Sequence, residues 1–286
     1  MRHILAKHHL PTLRDLATSN VLVAFDYDGT LAPISSNPDR APMRARTRRL
    51  LGAVADRYPC IVISGRARSD LVKWLSGVPV WHLSGNHGLE PWAEEAAYAA
   101  RVDRWERQLG RRLEGYQGVA IENKIYSLTV HYRHAQPRRP AVVAIQAAVG
   151  ALRGARLIRG KEAISVLPRD SVHKGDALQR ARRLLHCDFA IYVGDDDTDE
   201  DAFSATSTGI VLGIRIGLRR RSQARYYLKD QVEIDAFLRK LITFRPLRRS
   251  GSNSSHAPTR RQRTIADQEK LKLSRKKRTS PPLASR

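Results

Sequence analysis

The sequence predicts an α/β protein: a doubly wound parallel sheet interrupted by an inserted α+β module. Three observations carry this. Val21–Phe25 is an unbroken apolar run, as expected of a strand buried on both faces of a parallel sheet. A second such run, Phe189–Val193, lies far downstream, and both runs end abruptly in carboxylates. Further runs at Cys60–Ser64, Val80–Ser84 and Gly209–Ile214 alternate with helical patterns at Arg44–Asp56, Ser69–Leu75, Lys174–Leu185 and Asp199–Ala205. That alternation is the rhythm of βαβ units.

The middle of the chain breaks this rhythm. Arg101–Leu113 reads as an amphipathic helix and Ala141–Leu152 as an apolar one, while Ile125–Tyr132 and Ala163–Leu167 carry strand propensity. The expected organisation is an N-terminal segment (1–19), a core built from 20–86 and 171–247, an inserted module (87–170) and a tail (248–286). No internal repeat is present.

Composition bounds the rest. The chain has 286 residues, 42% of them hydrophobic, enough for a sizeable core. No apolar run approaches the roughly 20 residues of a membrane span, and Met1–Ala17 lacks the long apolar stretch of a secretory signal. Cys60 and Cys187 adjoin expected strands without metal-ligand neighbours, so buried thiols and a reduced, cytoplasmic setting are expected. The formal net charge is +23. Residues 245–286 hold 13 Lys or Arg against Asp267 and Glu269, a net of +11 that leaves +12 on the preceding chain. The tail reads as disordered with a short helix at Ile265–Leu273. It suits a nonspecific anionic partner, nucleic acid or membrane, and equally a solvated tail with no dedicated partner. The second excess suits an anionic, phosphorylated substrate.

Four motifs carry chemistry. Asp26-Tyr-Asp28-Gly-Thr30 follows the first strand. Carboxylates beside a buried strand need a metal or a chemical role, and an Asp nucleophile with a second Asp two residues on is what aspartyl-phosphate chemistry requires. A polar turn capping a helix accounts for one Asp but not for the string. Ser64-Gly65-Arg66 ends the second strand and offers a hydroxyl and backbone N–H groups to an anion. Taken alone, Ser-Gly is equally an ordinary turn. Lys174-Gly175 opens a helix, where a lysine can neutralise a phosphate or a carboxylate, although an exposed helix-start lysine is the commoner case. Finally, Gly194 precedes five Asp and one Glu within residues 195–201. Like charges this dense call for a cation, and hard oxygen donors suit Mg²⁺. An acidic first helical turn explains Glu200 and Asp201 but not the Gly-Asp-Asp at the strand end.

Together and in this order, these motifs resemble the haloacid dehalogenase-type phosphohydrolases, which have a Rossmann-like core. The resemblance implies that Asp26 attacks phosphorus and that Asp28 protonates the leaving oxygen and then activates water. It also implies Mg²⁺ held by Asp26, the Asp28 carbonyl and Asp195, supported by Asp196 or Asp199. Ser64 and Lys174 would grip the transferring phosphoryl group. Asp26–Ile34, Gly85-Asn-His-Gly88, Glu122–Arg133 and Gly194–Phe203 further resemble the trehalose-6-phosphate phosphatases, over about Asn20 to Leu241. In that family the insert is a mobile cap that binds the sugar. The resemblance makes Asn86, His87, Glu122, Lys124, His131, Arg133 and Lys161 candidate substrate contacts, with Thr30, Gly65 and Arg66 at the phosphate. For each of the cap residues the plain alternative is a polar surface side chain.

One segment departs from the family. Where it carries a sugar-binding Glu followed by a basic residue before Pro, this chain has Ser165 and Leu167 before Pro168. Ser cannot accept two sugar hydrogen bonds as a carboxylate does, and the offset of Glu162 turns it to the opposite strand face. The expected function is therefore a Mg²⁺-dependent trehalose-6-phosphate phosphatase. The alternatives are a phosphatase of another phosphorylated glycoside, such as glucosyl-phosphoglycerate or sucrose phosphate, or a non-catalytic regulator acting through the basic tail.

Overall fold

The computed structural model describes residues 1–35, 42–91, 96–160, 162–205 and 209–247. Lys161, the Ile265–Leu273 helix and the basic tail lie outside the described residues. Along the chain run β1 (Arg2–His3), α1 (Leu10–Thr18), β2 (Val21–Phe25), α2 (Ala45–Ala55), β3 (Cys60–Ile63), α3 (Arg68–Trp74) and β4 (His82–Ser84). The inserted module follows as α4 (Ala96–Leu113), β5 (Ala120–Asn123), β6 (Leu128–His131), α5 (Arg138–Gly150), β7 (Ala155–Gly160) and β8 (Ala163–Pro168). The chain then forms α6 (Lys174–Leu184), β9 (Phe189–Gly194), α7 (Glu200–Phe203), β10 (Val211–Ile216), β11 (Tyr226–Leu228) and α8 (Ile234–Phe244).

Seven strands pair in the order β1-β11-β10-β9-β2-β3-β4, and every pairing is parallel. The unbroken apolar runs are explained by two covered faces. Val21, Val23, Phe25 and Val62 meet Leu13 of α1, Leu51 and Val54 of α2 and Leu238 of α8. On the other face Leu22, Ala24, Ile61 and Tyr192 meet Ala177, Leu178 and Ala181 of α6 and Phe203 of α7. Each large side chain so buried contributes about 1.5–3 kcal/mol.

The inserted module has its own antiparallel sheet, β5-β6-β8-β7. Alternation sorts its side chains: Leu128, Val130, Ile164 and Val166 pack beneath Val102, Trp105 and Leu109 of α4 and Ile145 of α5. Glu122 pairs across from Thr129, which pairs with Ser165, so these three share the opposite face. Leu167 on that face packs against Leu89.

The fold class agrees with the expectation; several elements shift. Residues 1–19, set apart by the sequence, join the main sheet: Arg2 and His3 pair with Tyr226 and Tyr227, and α1 buries Leu13 and Ala17. A two-residue strand leaves no periodicity to read. Ile125–Ser127 is a turn, with Ile125 in the left-handed region (φ 70°) and Lys124 N–H donating to Ser127 O at 2.9 Å. Apolar content there suggested strand, but the chain must reverse between β5 and β6. Asp199–Ala205 shortens to one turn, and Ser64 falls just beyond β3.

Candidate active site

From β2 the chain steps outward through β3 and β4, and from β9 the opposite way through β10 and β11. The carboxyl ends of β2 and β9 therefore form a switch point, where open α/β sheets place their ligand crevice. Asp26 leaves β2 beside β9, its N–H donating to Val193 O at 2.8 Å. The next turn closes tightly, with Leu31 and Ala32 N–H groups on Tyr27 O. Gly29 lies inside it at φ 77°, and a Cβ there would sit 2.1 Å from Asp195 Oδ2. Only glycine lets this turn touch the second acidic loop. Gly29→Ala should therefore displace Asp195 and lower phosphatase turnover about a hundredfold with a modest loss in Tm, through strain of about 1–3 kcal/mol. Undiminished turnover would mean that this contact is dispensable.

One carboxylate oxygen each from Asp26, Asp195 and Asp199 lie within 4.8 Å of one another. Lys174 is brought into the same centre by α6, whose start is fixed by a reciprocal cap between His173 and Asp176. Far from being exposed, Lys174 is 1% accessible, with Nζ 3.0 Å from Asp26 Oδ1 and 2.8 Å from Asp199 Oδ1. Asp199 is fully committed: Oδ1 also accepts from Tyr192 OH at 2.7 Å, and Oδ2 accepts the Asp195 and Asp196 N–H groups at 2.8 and 3.0 Å. Asp196 Oδ1 accepts from Thr198 N–H and its hydroxyl at 2.8 and 2.6 Å. Among the described residues, the Asp195 carboxylate accepts only a long hydrogen bond, from Thr30 Oγ1 at 3.4 Å.

Negative charge exceeds positive here. Burial, with Asp199, Asp195 and Asp196 nearby, pushes the Asp26 carboxyl well above its ordinary range against the pull of Lys174. Burial and the carboxylates of Asp199 and Asp196 raise Asp195 to about 8. Lys174 stays firmly protonated: burial opposes its charge, but Asp199 and Asp26 prevail.

Around this centre, Ser64 is buried and its Oγ accepts from Arg66 N–H at 3.2 Å. Arg66 grips Asp28 with both arms, Nε to Oδ2 and Nη2 to Oδ1, each at 2.7 Å, and lies 5.6 Å from the Tyr27 ring centre. Gly65 abuts His87, since a Cβ on it would fall 2.5 Å from the imidazole. Among the described residues His87 Nδ1 is buried without a hydrogen-bond partner, and burial, then Lys174, lowers its pKa to about 3. Asn86 ties the two sheets together, donating to Lys124 O at 3.0 Å and accepting from Ser127 Oγ at 2.7 Å.

From the inserted module Lys124 Nζ reaches Gly65 O at 3.4 Å and Glu122 at 3.6 Å, and His131 Nε2 meets Glu122 at 2.9 Å. Against partial burial, His131 and Lys124 hold Glu122 below the usual carboxylate range. Arg133 stands elsewhere, donating to Glu162 at 2.8 Å beside Arg138. Glu162 is thus turned away from Ser165, and Ser165 Oγ lies 3.3 Å from Thr129 Oγ1.

Sequence reasoning missed Tyr192, Thr198 and Arg215. Arg215 donates to Asp196 O at 2.9 Å and Glu200 Oε1 at 2.8 Å and also reaches Asp195 O. Its signal was available, as the one charge in the buried strand Val211–Ile216.

Known proteins are similar to this chain. A family model described as trehalose-phosphatase matches residues 24–231. A probable trehalose-phosphate phosphatase 9 of Oryza sativa subsp. japonica is 32% identical over 263 residues, covering 78% of this chain and 70% of the relative. The C-terminal domain of C. albicans trehalose-6-phosphate phosphatase shares the fold at 24% identity, with a TM-score of 0.67 over 82% of this chain and 96% of that one. A phosphatase of the haloalkanoate (HAD) superfamily from Bacteroides thetaiotaomicron also shares the fold at 16% identity, with a TM-score of 0.58 over 79% of this chain and 96% of that one. With the family model spanning well over half of its length, this chain belongs to the trehalose-phosphatase family of hydrolases.

Proposed function

We propose that the protein hydrolyses trehalose 6-phosphate to trehalose and phosphate through an aspartyl-phosphate on Asp26, with Mg²⁺ as cofactor. The observation that carries this is Asp26 itself: a buried carboxylate at the switch point, 3.0 Å from Lys174 Nζ, with Asp28 two residues on. Lys174 orients Asp26 for attack and draws it towards its ionised form against the pull of burial, and with Ser64 it offsets charge on the transferring phosphoryl group. Arg66 occupies both oxygens of Asp28. An arriving phosphate competes for that fork, freeing Asp28 to take up a proton from solvent, pass it to the leaving sugar oxygen and afterwards regain one from the attacking water. His87 Nδ1, the Thr30 hydroxyl and the Glu122–Lys124–His131 cluster supply directional polar contacts of the kind a sugar phosphate requires.

The acidic centre fits a divalent cation, because hard oxygen donors converge there with more negative charge than Lys174 can balance. Asp26, Asp195 and the Asp28 carbonyl would hold it. Asp196 and Asp199, committed to the loop and to Lys174, would position Asp195. When bound, Mg²⁺ would neutralise phosphate charge in the transition state. Removal has a pH signature. An unfolded Asp ionises near 3.8, whereas folded Asp195 stays protonated up to about 8. Stability is therefore complete below the unfolded value and drains away as pH rises towards 8. In EDTA, Tm should fall between pH 5 and 8, and Mg²⁺ should restore it along with turnover. A flat profile would argue against this charge imbalance.

A second reading, a phosphatase of another phosphorylated glycoside, is favoured by Ser165 and Leu167 on the sheet face shared with Glu122, where no carboxylate replaces the family's Glu. Phosphate release over trehalose 6-phosphate, sucrose 6-phosphate, glucosyl-3-phosphoglycerate and glucose 6-phosphate decides between them. Preference for trehalose 6-phosphate supports the proposal; preference for another member moves the substrate and leaves the chemistry in place.

A further inference from the structure

On the far side of the inserted sheet, α4 carries arginines that the reaction does not use. Arg101, Arg104, Arg111 and Arg112 converge with Arg153, which follows α5, around a cavity of about 570 Å³. The spacing puts 101, 104 and 111 on one helix face. The acidic residues of the same helix turn elsewhere, Asp103 and Glu106 accepting from Asn123 Nδ2 at 3.3 and 2.7 Å. Arg101 pairs with Asp170 at 2.6 Å, and Arg112 donates to Ala148 O at 3.4 Å. Among the described residues no carboxylate pairs with Arg104, Arg111 or Arg153, so five guanidinium groups share one anionic neighbour.

We propose that this cavity is a binding site for an oligophosphate anion, separate from the phosphate-transfer centre. Guanidinium forks match phosphoryl oxygens two by two. A single phosphate engages one or two forks, whereas five around one concavity suit several linked phosphoryl groups. The volume lies within the range of small-molecule sites. A single-stranded nucleic acid is disfavoured, because it needs an aromatic stacking platform and Trp105 is only 3% exposed. Glu122, Thr129 and Ser165 lie across the sheet from α4, so the ligand does not compete with the sugar phosphate directly. Arg101, through Asp170, places one edge of the cavity on the segment that returns the chain to the main sheet.

The test is isothermal titration of the full chain with inorganic tripolyphosphate, and separately with ATP, at physiological ionic strength. Binding at one site should weaken about tenfold or more in Arg104→Glu/Arg111→Glu, and likewise in Arg153→Glu, with sugar-phosphate turnover unchanged in both. ATP binding alongside tripolyphosphate would assign the site to nucleoside polyphosphates; tripolyphosphate alone would assign an inorganic chain. Equal uptake by wild type and both variants would overturn the proposal. So would an oligonucleotide that needs these arginines while tripolyphosphate does not bind.

Discussion

Asp26→Asn should reduce phosphate release at least ten-thousandfold, because an amide cannot form the acyl phosphate on which the proposed turnover depends. The same variant should keep or raise Tm. The carboxylate it replaces is buried and pushed up by its surroundings, and the amide is isosteric and uncharged. Lys174 retains Asp199 at 2.8 Å, so no charge is stranded. Phosphate-release assays and thermal melts on one preparation separate the two effects. Measurable turnover with an intact fold would remove Asp26 as nucleophile.

Lys174→Met should abolish turnover and also destabilise the chain, by about 3–5 kcal/mol, since it breaks a buried ion pair while preserving side-chain volume. Asp26 and Asp199 would lose the ammonium that both touch. The deficit should shrink at low pH, where protonation of the stranded carboxylates removes the repulsion. Urea titrations at pH 5 and pH 8 read this directly. Equal losses at both would mean that Lys174 acts by packing.

These expectations were legible because β2 and β9 are buried on both faces, leaving long apolar runs against which Asp26 and Asp195 stand out. Lys174 was legible only as a motif: nothing local distinguishes a buried helix-start lysine from an exposed one, and burial comes from the packing of α6 against β3 and β9. Arg66 illustrates a different limit. Its place after a strand suggested a phosphate contact, yet its nearest opposite charge is Asp28, 38 positions away in sequence. Strand parity does not reach Glu162, which lies in the turn before β8 at φ 60° and is held by Arg133 and Arg138. Parity could not separate Arg133 from His131, because β6 ends at His131 and the residues beyond it no longer alternate.

The chain crosses between its two sheets twice, once after Asn86-His87-Gly88 and once before His173-Lys174. The crossings touch: a Cβ on Gly88 would lie 2.8 Å from His173 O. The polypeptide that joins the two bodies is thus also the polypeptide that places Lys174 against Asp26 and His87 beside Gly65. A swing of the inserted module would bend segments only one or two residues from those side chains. Under the proposed mechanism, access for the substrate and readiness of Asp26 would be geared together, and lengthening either crossing would uncouple them without altering a single reacting group.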